Sequence, residues 1–194
     1  MTPGVKFGRI ILDLCGGTGS WSKPYLDAGY DVRVVDPQEW GGEGTGDVRT
    51  FKRLEAEVHG ILCAPPCTHL SGSGARWWEE KGEAALLDAL SIVDACLRIV
   101  HVHRPQWWAL ENPVGRLTDY LGPPVLMFDP CDYGDPYTKR TCLWGDFTKP
   151  KANMVEPVPQ SENPIHRMPP GPERARMRSA TPPGFARAFF EANE

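Results

Sequence analysis

The sequence predicts an α/β domain built on a mostly parallel sheet. Three observations carry that prediction. Short apolar runs bounded by glycine or proline alternate with segments that are apolar at helical spacing, the pattern of strand–helix units. Glycine-rich and proline-marked turns follow the strand-like runs at their carboxyl ends, where open α/β sheets hold ligands. The chain has 194 residues, enough to bury one core without metal or disulfide staples, and it carries neither an internal repeat nor a second core.

The elements follow in order. RIILDL (9–14) is a short apolar run and predicts a buried strand, and a helix is expected across Ser22 to Ala28. DVRVVD (31–36) is a second strand ending in an acid, FKRLEA (51–56) a short helix, and HGILCAP (59–65) a third apolar run that stops at Pro65. Glu83 to His103 is apolar at helical spacing for about five turns and is ended by Arg104-Pro105. WWALEN (107–112) is the next strand, with at least one of Trp107 and Trp108 in the core by alternation. PVLMFDPCDYG (124–134) and KRTCLWGDF (139–147) predict an antiparallel pair that closes the sheet. From Thr148 to Pro172 the composition loses periodicity and predicts a long surface loop. Thr181-Pro182-Pro183 combines an N-cap with first-turn prolines and starts a C-terminal helix.

Charge and cysteine content narrow the function classes. The net charge is −4, but residues 1–138 carry 12 Lys/Arg against 19 Asp/Glu, while residues 139–194 carry 9 against 6. A phosphate-facing surface is therefore expected to draw on the C-terminal third, including Lys139, Arg140, Arg174, Arg176 and Arg178. Six cysteines in a chain of this length do not make a disulfide framework. No run of apolar residues is long enough to span a bilayer and no leader pattern precedes the first strand, so no membrane partner and a cytoplasmic location are expected.

Asp13-Leu-Cys15-Gly16-Gly17-Thr18-Gly19-Ser20 directly follows the first strand and precedes a helix. Its glycines let the backbone turn tightly and pass close to a ligand. A ligand-free glycine turn competes with that reading. Two further acids favour a ligand. Asp36 ends the second strand, where a carboxylate accepts hydrogen bonds from ribose hydroxyls, and Asp47 lies beyond the place where a further strand would end, near an adenine position. The loop does not match the dinucleotide pattern G-x-G-x-x-G, so a nucleoside cofactor is expected and NAD is not.

Cys67 follows Pro65-Pro66 just past the third apolar run and opens the flexible loop THLSGSGARWW, whereas Cys63 belongs inside the strand. Glu111-Asn112-Pro113 ends the next strand, bringing a carboxyl group to the same edge. A nucleophilic thiol with a nearby carboxyl suits chemistry at cytosine C5. The thiolate adds to C6 while the carboxyl holds N3 and the amino group, which makes C5 nucleophilic. Cys63-x3-Cys67-x-His69, with His101 and His103, offers metal-ligand types, but the intervening prolines and the lack of a second cysteine pair argue against a metal site. His101 and His103 fit a helix C-terminus, where the dipole favours them. Trp77 and Trp78 either stack on a base or anchor the start of the long helix, the second being favoured.

Taken together these stations resemble the DNA cytosine-C5 methyltransferases, most of all the short, phage-type members. DLCGGTGSW (13–21) resembles the first cofactor motif, VVD (34–36) and GD (46–47) the second and third, and APPCTHLSGSG (64–74) the Pro-Cys motif. ENP (111–113) resembles the Glu-Asn-Val motif, YGDPYTKRT (133–141) the Gln-x-Arg-x-Arg segment, and TPPGFARAFFEAN (181–193) the closing helix beside the cofactor. The resemblance implies a Rossmann-like S-adenosylmethionine-dependent methyltransferase fold, with an antiparallel final strand, over a single catalytic domain at 1–194. It implies a cofactor site of Asp13, Cys15, Gly16, Gly17, Thr18, Gly19, Ser20, Trp21, Asp36, Asp47 and Pro65. Cys67, Glu111 and Arg140 are implied for catalysis, and Pro66, Ser71, Asn112 and Lys139 for substrate contact.

The departures are informative. Tyr137, Lys139 and Thr141 stand where the family has Gln, Arg and Arg, so Lys139 or Arg140 is expected to contact the base, and Thr68 replaces a Gln after the cysteine. The family's large target-recognition region belongs between 145 and 175, where only about thirty residues are present, with the closing helix at 179–194. DNA recognition is then expected to be of low specificity or supplied by a protein partner, the base being flipped or taken from a single strand. A methyltransferase acting on RNA or a cytosine nucleotide, and a non-catalytic module that keeps the cofactor pocket, are the rival readings; intact Cys67 and Glu111 argue against the latter.

Overall fold

The computed structural model describes residues 8–37, 46–167, 169 and 172–194. Its strands are β1 (Ile10–Leu14), β2 (Asp31–Val35), β3 (Val58–Cys63), β4 (Trp107–Pro113), β5 (Leu126–Phe128) and β6 (Thr141–Asp146). They form one sheet in the order β2-β1-β3-β4-β6-β5. The first four strands pair in parallel, and β6 runs antiparallel between β4 and β5. This is the mixed, mostly parallel α/β architecture that the alternating pattern predicts. β1 and β3 are buried at every position, which is why they appear in the sequence as continuous apolar runs rather than alternating ones.

Both faces of the sheet are covered. The long helix α2 (Trp78–His103) packs Ala89, Val93, Cys96 and Ile99 against Leu12, Leu14, Ile61, Cys63 and Leu110 on one face. The other face is aromatic, and α1 (Lys23–Asp27) lies there with α6 (Pro183–Ala192). Phe185 of α6 stacks on Phe128 at 3.9 Å, and Trp107 stacks on Tyr25 of α1 at 5.4 Å. Such ring pairs add about 0.5–1.5 kcal/mol each beyond their buried area. Trp107 is in the core and Trp108 packs at its margin. No helix among the described residues is long and apolar enough to cross a membrane.

Several elements depart from the sequence-based expectation. FKRLEA is not helical, and two of its backbone groups bond to side chains of α2 instead. The Leu54 N–H donates to His103 Nε2 at 3.0 Å, and the Arg98 guanidinium donates to the carbonyls of Val48, Arg49 and Phe51. Six residues gain too few internal bonds to offset helix nucleation when such partners are at hand. The helix expected from Glu83 is preceded by one further turn, Trp78–Lys81, joined across a kink at Gly82 (φ 71°, ψ 179°). Arg104 then caps it in the left-handed region (φ 48°). The run at 124–134 pairs over three residues only: Pro130 has no ladder donor, and the chain turns through a 3-10 segment at Pro130–Asp132. Three short helices were not anticipated: α3 (Thr118–Leu121), α4 (Pro164–Arg167) and α5 (Pro172–Ser179). Residues 168, 170 and 171 of the expected long loop lie outside the described residues.

Candidate active site

The site is set by strand register. Val35, Leu14, Cys63, Leu110 and Trp144 lie in one row across β2, β1, β3, β4 and β6. Asp36, Cys15, Ala64 and Glu111 each come one residue after that row, so four of the sequence stations reach the same carboxyl edge together. The chain order reverses between β1 and β3, where a doubly wound sheet opens a crevice. The glycine loop leaves β1 on one side of that crevice and the Cys67 loop leaves β3 on the other.

The glycine loop is built over a carboxyl group. Asp13, fully buried, accepts a hydrogen bond from Ser22 Oγ at the start of α1, and its Oδ1 has no partner among the described residues. Burial pushes its pKa up to about 6; the Ser22 bond opposes the shift and the charge of Asp36 adds to it. A side chain at Gly16 would collide with this carboxyl, so the backbone passes over Asp13 only because Gly16 lacks one. Gly17 sits in the left-handed region, and its N–H donates to Asp36 Oδ2 at 2.9 Å. Cys15 also has positive φ (57°), with its N–H donated to Val35 O at 2.8 Å. Thr18 and Ser20 share a hydroxyl–hydroxyl bond of 2.6 Å. Trp21 is buried edge-on to Phe189 at 5.4 Å, which ties the loop to α6. A bare backbone turn with a carboxylate at the neighbouring strand end fits a nucleoside ribose and its polar substituent.

Beyond β3, Pro65 is buried while Pro66 and Cys67 are exposed. The Cys67 carbonyl accepts the N–H groups of Leu70 (3.0 Å) and Ser71 (2.9 Å), which closes the turn that presents the thiol. Asn112 Nδ2 donates to Pro65 O at 2.9 Å and so ties the Glu-Asn-Pro strand end to the cysteine loop. Burial pushes the Glu111 carboxyl up, and Lys139 pulls it back. The surroundings also raise the Cys67 thiol, the charge of Glu111 adds to that rise, and Lys139 and Arg178 oppose it. Glu111 and Lys139 thus act on the Cys67 thiol in opposite directions, and Lys139 also acts on the Glu111 carboxyl.

Other predicted residues are used locally. Ser71 Oγ caps the 3-10 turn Gly72–Trp77, accepting from Ser73 N–H at 3.4 Å. Asp47 is gripped by the Arg49 backbone and guanidinium, which hold its carboxyl below the usual range, and Arg49 also pairs with Asp88 on α2. Arg140 pairs with Asp129 at 3.0 Å at the surface, whereas Lys139 Nζ reaches Ala180 O at 3.3 Å and its charge opposes the rise of both the Cys67 thiol and the Glu111 carboxyl. Trp77 is 47% exposed, and Trp78 lies partly buried under the Arg116 guanidinium. The Arg176 side chain lies outside what the structure describes. Ser22 and Arg116 were missed by sequence reasoning, and Arg178 was expected only as part of a phosphate-facing surface. Of the two missed, only Ser22 left a trace, as a hydroxyl residue ahead of the first helix.

No protein-family model matches the chain. Over 166 residues it is 24% identical to the type II methyltransferase M.DdeI of Desulfomicrobium norvegicum, covering 67% of this chain and 38% of that protein. The chain therefore spans well under half the length of this curated relative. Among solved structures, a protein assigned as a DNA modification methyltransferase within an E. coli prophage superposes with a TM-score of 0.53 at 18% identity, covering 78% of this chain and 53% of that one. The Entamoeba histolytica methyltransferase EhMeth gives a TM-score of 0.47 at 12% identity, covering 78% and 57%. The sheet order and the first of these superpositions make the fold Rossmann-like and shared with a methyltransferase.

Proposed function

We propose that this chain is a single catalytic domain that transfers a methyl group from S-adenosylmethionine to C5 of cytosine in DNA, with Cys67 as the nucleophile. One observation carries the reading. Cys67 and Glu111 leave neighbouring strands β3 and β4 at the same edge, beside the glycine loop and Asp36, and Lys139 acts on both. The sequence similarity to a type II methyltransferase supports DNA as the substrate. The resemblance to short phage-type enzymes supports relaxed recognition.

The chemistry follows from this chain's own groups. S-adenosylmethionine, when bound, supplies an electrophilic methyl group; the Gly16–Gly19 backbone, Asp36 and Trp21 would hold it. The Cys67 thiolate bonds to C6 and breaks the ring's delocalisation, leaving electron density at C5. Glu111, held toward its protonated form by burial, donates at N3 and stabilises the addition product. Lys139 adds positive charge where negative charge develops. Once C5 carries the methyl group, its proton leaves and the electron pair expels the thiolate. With fluorine at C5 no proton can leave, so the protein remains bonded to its substrate.

The deciding experiment incubates the chain and cofactor with duplex DNA, single-stranded DNA, RNA and dCMP, each carrying 5-fluorocytosine. A denaturant-resistant adduct on DNA, mapped by mass spectrometry to Cys67 and absent in Cys67→Ser, is expected. Cys63→Ser should still form it. Full methyl transfer by Cys67→Ser would refute the mechanism, and an adduct formed only on RNA or dCMP would refute the substrate.

A further inference from the structure

The loop that carries Cys67 is fastened at several points to the segment that follows Glu111. Arg116 makes most of these attachments. Its backbone N–H donates to Leu70 O at 3.0 Å, and its Nε donates to His69 O at 2.8 Å. Both carbonyls leave the turn that the Cys67 carbonyl closes by accepting from Leu70 and Ser71. The guanidinium centre lies 4.3 Å from the ring centroid of Trp78, the first residue of α2 and the far end of the same loop. Arg116 Nη2 is buried without a hydrogen-bond partner among the described residues, so the ring face is what offsets its desolvation.

Neighbouring contacts reinforce the grip. Ser71 bridges to Gly115, and Gly72 N–H donates to Val114 O at 2.8 Å. A side chain on Gly115 would collide with Leu70 O, so the two segments run closer than any other residue there allows. Lys81 Nζ donates to Thr68 O at 3.0 Å from beyond the loop. Arg116 lies five positions after Glu111, with β4 ending between them at Pro113. One short segment thus carries the carboxyl at its start and the loop's anchor at its end.

We propose that Arg116, seated on Trp78, is a positioning residue that fixes the Cys67 loop against the Glu111 strand end and so sets the spacing of nucleophile and carboxyl. The proposal rests on the reading of Cys67 as nucleophile for its catalytic consequence, but not for its structural one. A lysine retains a cation over the ring and one donor for His69 O; alanine retains neither.

The test has two arms on the full chain. Cys67 alkylation by iodoacetamide, followed by peptide mapping, reports the loop without any reaction. Arg116→Ala and Trp78→Ala should change its rate by at least about fivefold, while Arg116→Lys and Trp78→Phe stay within about threefold of wild type. In the second arm, single-turnover adduct formation with 5-fluorocytosine DNA should slow by at least about tenfold in both alanine variants, with cofactor affinity within about twofold. Unchanged cofactor affinity also shows that the variants fold, and should Arg116→Ala not fold, Trp78→Ala carries the test alone. Wild-type alkylation and adduct rates in the alanine variants would overturn the proposal. Altered alkylation with no adduct even in the wild-type chain would uphold the anchor and sink the nucleophile reading instead.

Discussion

At the scale of single residues, the thiol of Cys67 is pulled in opposite directions by two neighbours. Its surroundings and Glu111 favour the neutral thiol, and Lys139 favours the thiolate. The Glu111 charge is among the causes that raise the thiol, so Glu111→Gln removes that contribution and should lower the thiol pKa. Lys139→Met removes a positive charge and should raise it. Alkylation of Cys67 followed against pH is expected to move its midpoint downward in the first variant and upward in the second; a shift of the same sign in both would mean the two residues do not flank the thiol. Cys67 and Glu111 were legible in the sequence because each follows a proline-marked or acid-ended apolar run, and a strand end needs no tertiary knowledge to place. The choice between Lys139 and Arg140 was not legible. What bears on it is Asp129, which takes the Arg140 guanidinium at 3.0 Å and the Lys139 backbone N–H at 2.9 Å, from a stretch ten residues earlier whose turn the sequence did not resolve.

At the scale of elements, the strand–loop–helix unit from β1 to α1 depends on one missing side chain. The backbone at Gly16 crosses the buried Asp13 carboxyl at a distance that no Cβ permits, and the same carboxyl takes the Ser22 hydroxyl that begins α1. Gly16→Ala must displace either the carboxyl, with its bond to Ser22, or the loop, with Gly17 and its bond to Asp36. Cofactor affinity measured by calorimetry should fall at least about tenfold, on the order of 1.4 kcal/mol or more. Gly74→Ala, at a site where a side chain meets only an ordinary 3.9 Å contact, should leave that affinity unchanged. Equal affinity of Gly16→Ala and wild type would remove the glycine loop from the cofactor site. The unit was readable because glycine spacing and apolar runs are local signals. FKRLEA shows the opposite case. Its composition favours a helix, but Arg98 and His103, some fifty residues later, claim two of its backbone groups, and no local pattern announces that.

At the scale of the whole molecule, the segment between β6 and α6 limits what DNA this chain could read. Several of its described polar groups are spent on the protein itself. Asn153 and Val155 donate backbone N–H groups to the carbonyls of Asp132 and Cys131 at 2.8 and 2.9 Å. Gln160 and Asn163 side chains both bond to Thr138, at 2.7 and 2.9 Å. Outward here, beside Glu156, Glu162 and the apolar Met154 and Val155, stand the cations Lys149, Lys151 and Arg167. Such cations suit phosphates, which fix register without carrying sequence information. Reading one base pair firmly takes a bidentate side chain worth about 1–3 kcal/mol, and a six-base site needs several of them held rigidly. The described part of this segment offers no scaffold of that size. Methylation by the purified chain is therefore expected across many short contexts, and bisulfite sequencing of a treated plasmid should show at most a dinucleotide or trinucleotide preference. Because phosphate contacts would dominate affinity, binding should also weaken steeply with salt while the context preference stays constant. A sharp six-base consensus from the isolated chain would mean that these thirty or so residues read bases after all, and would move the search for recognition to the loop at Gly72–Trp77.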